Sequence, residues 1–279
     1  MALDQDFDGT PEPKEMTFFE HVDELRKYLL RAMAGVGVVT ILALIFKDIV
    51  FRGVIFAPTR LDFWTYERMC DLSHWINNDD SLCITQINYT LFSPSVTAQF
   101  TQYFMVSFIA GIVVAFPWIL FQFWLFIKPA LNTKESGYAK SLVSYGSLLF
   151  FAGISFGYFF LTPISLNFMG GFTLMEEIPN QFTVESYIGF VTMLTLATGI
   201  IFELPIIIYF LAKIGLVTAA FLKKYRRYAL LIIVILAAIV TPPDVSSQVL
   251  MSIPMAILYE VGIVIAKRVE RRKEKEAIL

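Results

Sequence analysis

"SYIGFVTMLTLATGIIFELPIIIYFL", residues 186–211, is apolar along its length except for one carboxylate, Glu203, with a proline two residues on, Pro205. A helix of about 20 residues, rising 1.5 Å each, crosses the ~30 Å hydrocarbon of a bilayer. The stretch therefore reads as a transmembrane helix. A carboxylate inside a span is costly and marks a functional candidate. Pro205 removes a helix hydrogen bond, so it bends or ends the helix beside Glu203. Stepping back from Glu203 by three or four residues gives Gly199, Thr195 and Thr192, a small polar stripe on one helix face. That stripe suits a groove or a neighbouring helix better than lipid. No Lys or Arg lies mid-span to pair with Glu203, which leaves it partly hydrated or protonated. A hydrogen bond to a neighbouring helix, contact with another polypeptide, and water alone all remain open for it.

The rest of the chain has the same character. Of its 279 residues 57% are hydrophobic and 16% charged, and mean hydropathy is +0.65. Soluble domains are less apolar and more charged, so the fold class is an all-α polytopic membrane protein. Six spans are expected, at roughly 28–47, 98–121, 138–162, 186–211, 228–240 and 249–266. The last two are short and are joined by "TPPDVSSQ", in which Pro242 and Pro243 force a tight turn, so they read as a short helical hairpin. One membrane domain covers 1–279, with an acidic tail (1–16), a long outer loop (48–97) and a charged, solvated tail (267–279). The acidic start lacks the basic, then apolar, pattern of a cleavable signal peptide. With the N-terminus inside, 18 of the 22 Lys and Arg fall on inner segments and 4 on the outer side. That bias places both termini in the cytoplasm. Small residues recur every four positions at Ser107, Gly111 and Ala115, and again at Gly153 and Gly157, which predicts close helix packing.

The loop 48–97 is too long for a plain connector. Its segments "LDFWTYERM" and "LFSPSVTAQFTQYF" are amphipathic and read as short interfacial helices. Both cysteines, Cys70 and Cys83, fall here. An oxidising compartment would join them as a structural disulfide. Metal binding is the rival, because His74 lies between them, but two Cys and one His leave a fourth ligand wanting.

Four further stretches carry a resemblance. They are "FFEHVDELRKYLLRA" (18–32), "FPWILFQFWLFIKPAL" (116–131), "FELP" (202–205) and "TPPDVSSQ" (241–248) followed by "IPMAILYEVGI" (253–263). In this order, with six spans and both ends inside, they resemble the TatC family, the multi-spanning receptor subunit of the twin-arginine protein translocase. The resemblance runs from about residue 17 to 266. It implies a protein of the cytoplasmic (inner) membrane that binds the twin-arginine signal peptides of folded proteins. It implies assembly with TatA- and TatB-type single-span partners, in a multimeric complex, and export driven by the proton-motive force. No cofactor, metal or nucleic acid is expected, and no Walker-type glycine loop is present.

The resemblance also assigns residues. Glu24 of the "ELR" motif and Glu135 are the acidic contacts for the paired arginines, and bidentate carboxylate–guanidinium geometry suits that task. Arg26 holds Glu24 or shapes its field, while Phe126 and Leu131 belong to the apolar part of the site. On residues alone, Glu24 and Arg26 would be a solvated juxtamembrane face and Phe126 an interface-belt aromatic. Glu203, Thr241, Asp244 and Gln248 form intramembrane contacts for the signal peptide or partner helices; Asp244 is in addition a turn-former and helix cap. Pro58, Pro117 and Pro205 set shape. Glu260, about two turns from the inner end, is placed to snorkel.

Two readings from other classes were weighed. A proton-coupled small-molecule transporter would use Glu203 as carrier, but no internal repeat is evident. An intramembrane enzyme would need a paired acid, a Ser–His set or a metal motif within the spans, and no His lies in any span.

Overall fold

A computed structural model describes residues 18–76, 83–127, 139–173, 175, 179–241 and 244–278. Helix α1 (Phe18–Ile45) runs into a π-helical segment (Ile49–Ile55), a 3-10 turn (Ala57–Thr59) and α2 (Trp64–Ile76). Strand β1 (Thr90–Phe92) precedes α3 (Ala98–Ile127). Next comes α4 (Ala139–Phe156), which passes through a π-helical segment (Gly157–Leu161) into α5 (Thr162–Gly171). Strand β2 (Gln181–Thr183) leads to α6 (Val184–Phe202) and α7 (Leu204–Lys213), then α8 (Ala219–Lys224), α9 (Arg226–Val240) and α10 (Val245–Ile278).

Among the described residues five helical stretches are long and apolar enough to cross a membrane: Val22–Ile45, Ala98–Ile127, Leu142–Gly171, Val184–Lys213 and Val245–Glu274. The run at 228–240 forms α9, whose 15 residues reach about 22 Å. The second arm of the expected hairpin is not short. Helix α10 has 34 residues and continues through the charged run that was read as a solvated tail. Its apolar and polar seam persists there. Tyr259, Ile263, Ala266 and Val269 are buried, Glu270 Oε1 accepts a hydrogen bond from the Ala219 N–H at 2.8 Å, and Lys273 Nζ donates to the Ala212 carbonyl at 3.4 Å. Val269 and Glu270 thus turn inward onto the bundle, while Lys267, Arg268 and Arg271 to Glu274 are exposed.

Small residues decide which helices meet. On α3, a Cβ at Gly111 would collide with Thr40 and the Val36 carbonyl of α1. Ser107 and Ala115 on the same face are buried. Tyr103 Oη donates to the Leu44 carbonyl (2.6 Å) and Trp118 Nε1 to the Arg31 carbonyl (3.0 Å), so α1 and α3 run antiparallel. On α4, Gly153 lies against Phe202, while Gly157 lies against Thr195 and Thr198 of α6. Gly262 of α10 leaves room for Ile208 of α7.

The prolines act differently from one another. Pro117 lies inside α3 without ending it. Pro163 stands at the start of α5, directly after the π-helical segment, where a missing N–H costs least. Pro58 is buried in the 3-10 turn.

Residues 48–97 are packed against the bundle. Only the first of the two expected interfacial helices forms, as α2; the second segment becomes β1 and the first turns of α3. β1 pairs in parallel with β2, Leu91 opposite Phe182. Three phenols bind backbone carbonyls of this region: Tyr158 to Val54 (2.6 Å), Tyr187 to Ile55 (2.8 Å) and Tyr66 to Pro58 (2.7 Å). Burial raises the Tyr66 phenol and pushes that of Tyr89 up to about 12, so both stay neutral, and Tyr66 is the one that donates. Cys70 is bonded to Cys83, with Cα atoms 4.3 Å apart. His74 Nε2 lies 4.0 Å from Cys83 Sγ.

Candidate functional site

Two polar centres stand in an otherwise apolar molecule. The first is where α1 begins and α3 ends. Glu24 is half-buried on α1, and its Oε2 is shielded from water without a hydrogen-bond partner among the described residues. One helical turn later Tyr28 meets the ring of Phe126 edge-on at 6.5 Å, and the Arg31 guanidinium lies 5.7 Å from the Tyr28 ring centre. A Cβ at Gly35 would strike the Trp118 ring, so the glycine lets α3 close on α1 there. The antiparallel packing of the two helices therefore brings Glu24 and Phe126, 102 positions apart in the sequence, to one end of the bundle. Arg26 is exposed. Glu135 and Leu131 lie outside the described residues.

The second centre is the junction of α6 and α7. Glu203 ends the first helix and opens the second, with Pro205 in the first turn of α7. The interruption is confined to this one residue: the Glu203 N–H donates to the Ile200 carbonyl (3.1 Å), and its own carbonyl accepts from the N–H groups of Ile206 and Ile207 (3.0 Å each). The side chain is 8% exposed. Its Oε1 has no partner among the described residues. Gly146 of α4 lies beside this carboxyl, and a Cβ there would strike Leu120 and Ile206 while meeting Oε2 only at ordinary contact distance. The stripe behind it is covered as well. Gly199 packs on Phe150 and Ile154, and Thr195 lies against Gly157. Thr192 returns its hydroxyl to the Ile188 carbonyl at 2.7 Å. The threonine–glycine stripe thus seats α4, and Glu203 is buried at its end.

The remaining predicted residues cluster at the turn between α9 and α10. Thr241 Oγ1 donates to the Ala237 carbonyl (2.9 Å) and closes α9. Asp244 Oδ2 accepts the Ser247 N–H at 2.6 Å and so caps α10, while its Oδ1 is buried without a partner among the described residues. Gln248 reaches back to the Val234 carbonyl at 3.4 Å. Ser247 then ties the turn to α5 through Ser165, Oγ to Oγ, at 2.7 Å. Glu260 pairs with Arg226 of α9 at 2.6 Å instead of merely snorkelling.

Sequence reading missed the Ser165–Ser247 bond, the Tyr158 and Tyr187 contacts and the Glu270 cap, because each joins residues far apart in the chain. A signal existed only for Glu270, which continues the spacing of Tyr259, Ile263 and Ala266.

Comparison with known proteins places the chain in a family. The family model described as Sec-independent protein translocase protein (TatC) matches residues 20–254. The Sec-independent protein translocase protein TatC of Blattabacterium sp. subsp. Periplaneta americana (strain BPLAN) is 36% identical over 263 residues, or 94% of this chain and 99% of that protein. The TatCy protein of Bacillus subtilis (strain 168) is 32% identical over 263 residues, 94% of this chain and 93% of its own. Among solved structures, a twin arginine translocase receptor, TatC, superposes with a TM-score of 0.65 at 31% identity, covering 90% of this chain and 100% of that one. A TatC receptor structure in DDM gives 0.69 at 32% identity, covering 88% and 98%.

Proposed function

The chain belongs to the TatC family of Sec-independent protein translocase components, multi-span membrane proteins rather than enzymes, and on that premise we propose that it is the signal-peptide receptor of a twin-arginine translocase. Its substrate is the paired-arginine signal of a folded passenger. Glu24 and Glu135 receive the two guanidiniums, with Phe126 and Leu131 against the apolar part of the signal and Arg26 biasing the field. Its partners are TatA- and TatB-type single-span proteins, which dock through Glu203, Thr241, Asp244 and Gln248, and the proton-motive force drives transport. The chain is one membrane domain of six spans in the inner membrane, with both termini cytoplasmic and α9 and α10 forming the last hairpin. The sixth span of this reading is α9, whose 15 residues fall short of the five longer apolar helices, and the Lys and Arg bias of the sequence supports the even count. The transporter reading has no place in this family.

The observation that carries the proposal is the Glu24 carboxylate oxygen. It is withdrawn from water, lacks a partner among the described residues, and stands one turn from the Tyr28–Phe126 contact. An unsatisfied buried polar atom costs about 1–3 kcal/mol. An arriving guanidinium removes that cost and adds a charge-assisted bond, which a solvated carboxylate would not gain. A photoreactive side chain at Phe126 is expected to capture an Arg-Arg signal peptide in membranes. The same probe at Trp75, 84% exposed beyond the other end of α1, is expected to capture none. Equal yields at the two positions would refute the placement.

A further inference from the structure

At the end of the bundle opposite Glu24, a pocket of about 430 Å³ opens between the end of α1, the π-helical segment after it, and the first turns of α3 and α6. Its volume falls in the range of small-ligand sites, about 300–1,000 Å³. Lys47, Arg52 and Asp48 stand at it, all exposed, with the Arg52–Asp48 pair at 3.7 Å. Phe51, Phe56 and Ile188 supply an apolar wall. Gln102 also lines it. That side chain is 4% exposed, and its Oε1 has no hydrogen-bond partner among the described residues.

These features are disjoint in chemistry but adjacent in space. Two cations against one anion leave a net positive mouth, which favours a monoanion. The buried amide oxygen needs a donor, which a phosphate cannot supply and a hydroxyl can. The apolar wall needs hydrocarbon. We infer that this pocket holds the headgroup of an anionic phospholipid bearing hydroxyl groups: its phosphate on Lys47 and Arg52, a headgroup hydroxyl donating to Gln102, and its glycerol backbone and first methylenes on Phe51, Phe56 and Ile188. The site is separate from the signal-peptide centre, and its test does not depend on that reading.

Native mass spectrometry of the full chain, released from nanodiscs containing equal phosphatidylglycerol, phosphatidylmethanol and phosphatidylethanolamine, reads this directly. Phosphatidylglycerol is expected to be retained over both others. A basic side chain near an anionic membrane surface contributes about fivefold in affinity, so Lys47→Ala with Arg52→Ala is expected to cut retention more than tenfold. Gln102→Leu is expected to erase the preference for phosphatidylglycerol over phosphatidylmethanol and to keep that of both over phosphatidylethanolamine. Equal retention of all three lipids by the unaltered chain would overturn the site, as would Gln102→Leu behaving like the unaltered chain. Free glycerol 1-phosphate displacing the lipid would overturn the lipid assignment in favour of a soluble phosphate ester.

Discussion

Glu203→Leu is expected to raise the thermal stability of the purified chain while reducing export at least tenfold. The two halves of that result have separate causes. In the folded chain the Glu203 carboxyl is 8% exposed, and its Oε1 has no partner among the described residues. A buried polar atom left unsatisfied costs about 1–3 kcal/mol, and an apolar side chain of similar shape removes that cost. The local backbone does not need the carboxyl, because the break between α6 and α7 is held by main-chain bonds and by Pro205. A destabilising group kept at an α-helical junction therefore points to use in another state, such as contact with a partner helix. Glu203→Gln keeps a polar group at the junction and is expected to retain more export than Leu. Thermal unfolding and a passenger-export assay on the same variants check both halves. Loss of stability in Glu203→Leu would show that the carboxyl is structural, and full export would remove it from the proposed function.

Cys70→Ser with Cys83→Ser is expected to cost about 3 kcal/mol of stability, the chain-entropy value for a loop of this size. The bond spans 13 positions and closes the segment between α2 and β1. The α2 end of that loop is anchored by the Tyr66–Pro58 bond and by Thr65 Oγ1 donating to the Phe159 carbonyl at 2.6 Å. Reduction of the unaltered chain is expected to lower its unfolding midpoint like the double variant. Adding Zn²⁺ to the reduced chain is expected not to restore it. Cys70, His74 and Cys83 bring their ligand atoms within 4.8 Å of one another but offer only three, one short of a closed structural zinc site. Restoration by zinc would make the cluster a metal site, and an unchanged midpoint after reduction would deny the bond a stabilising role.

How much of this could be read from the chain alone varies with the range of the interaction. The apolar runs of α1, α3, α4 and α6 were legible because span length is a local property. The stripe of Ser107, Gly111 and Ala115 was legible as a packing face, though not as the seat of α1 in particular. Pro205 announced a break at α6, and Pro117 lies inside α3 without ending it. The run after Lys267 was legible in its charges, most of which are exposed, but not in Val269 and Glu270, which fall on the face that α10 already turns inward. The β1–β2 pair is three residues a side, too short for alternation to register. The burial of Glu203 arises where α4 packs beside it at Gly146, which no local pattern could disclose.

The site was legible in part for the same reason. Glu24 and Phe126 were named from motifs, but the Tyr28–Phe126 contact and the orphaned Glu24 oxygen exist only once α1 and α3 have packed. Those two features also set the strictest test of the receptor reading. Affinity of the membrane-embedded chain for Arg-Arg and Lys-Lys signal peptides, measured on the unaltered protein, on Glu24→Ala and on Glu135→Ala, decides it. Bidentate carboxylate–guanidinium pairs are geometry-dependent in a way that ammonium pairs are not, and bonds to charged groups contribute about 1.5–3 kcal/mol. The unaltered chain is predicted to prefer Arg-Arg by at least about tenfold, and each alanine variant is predicted to lower that preference toward unity. A preference that survives in both variants, or that the unaltered chain never shows, would contradict the account.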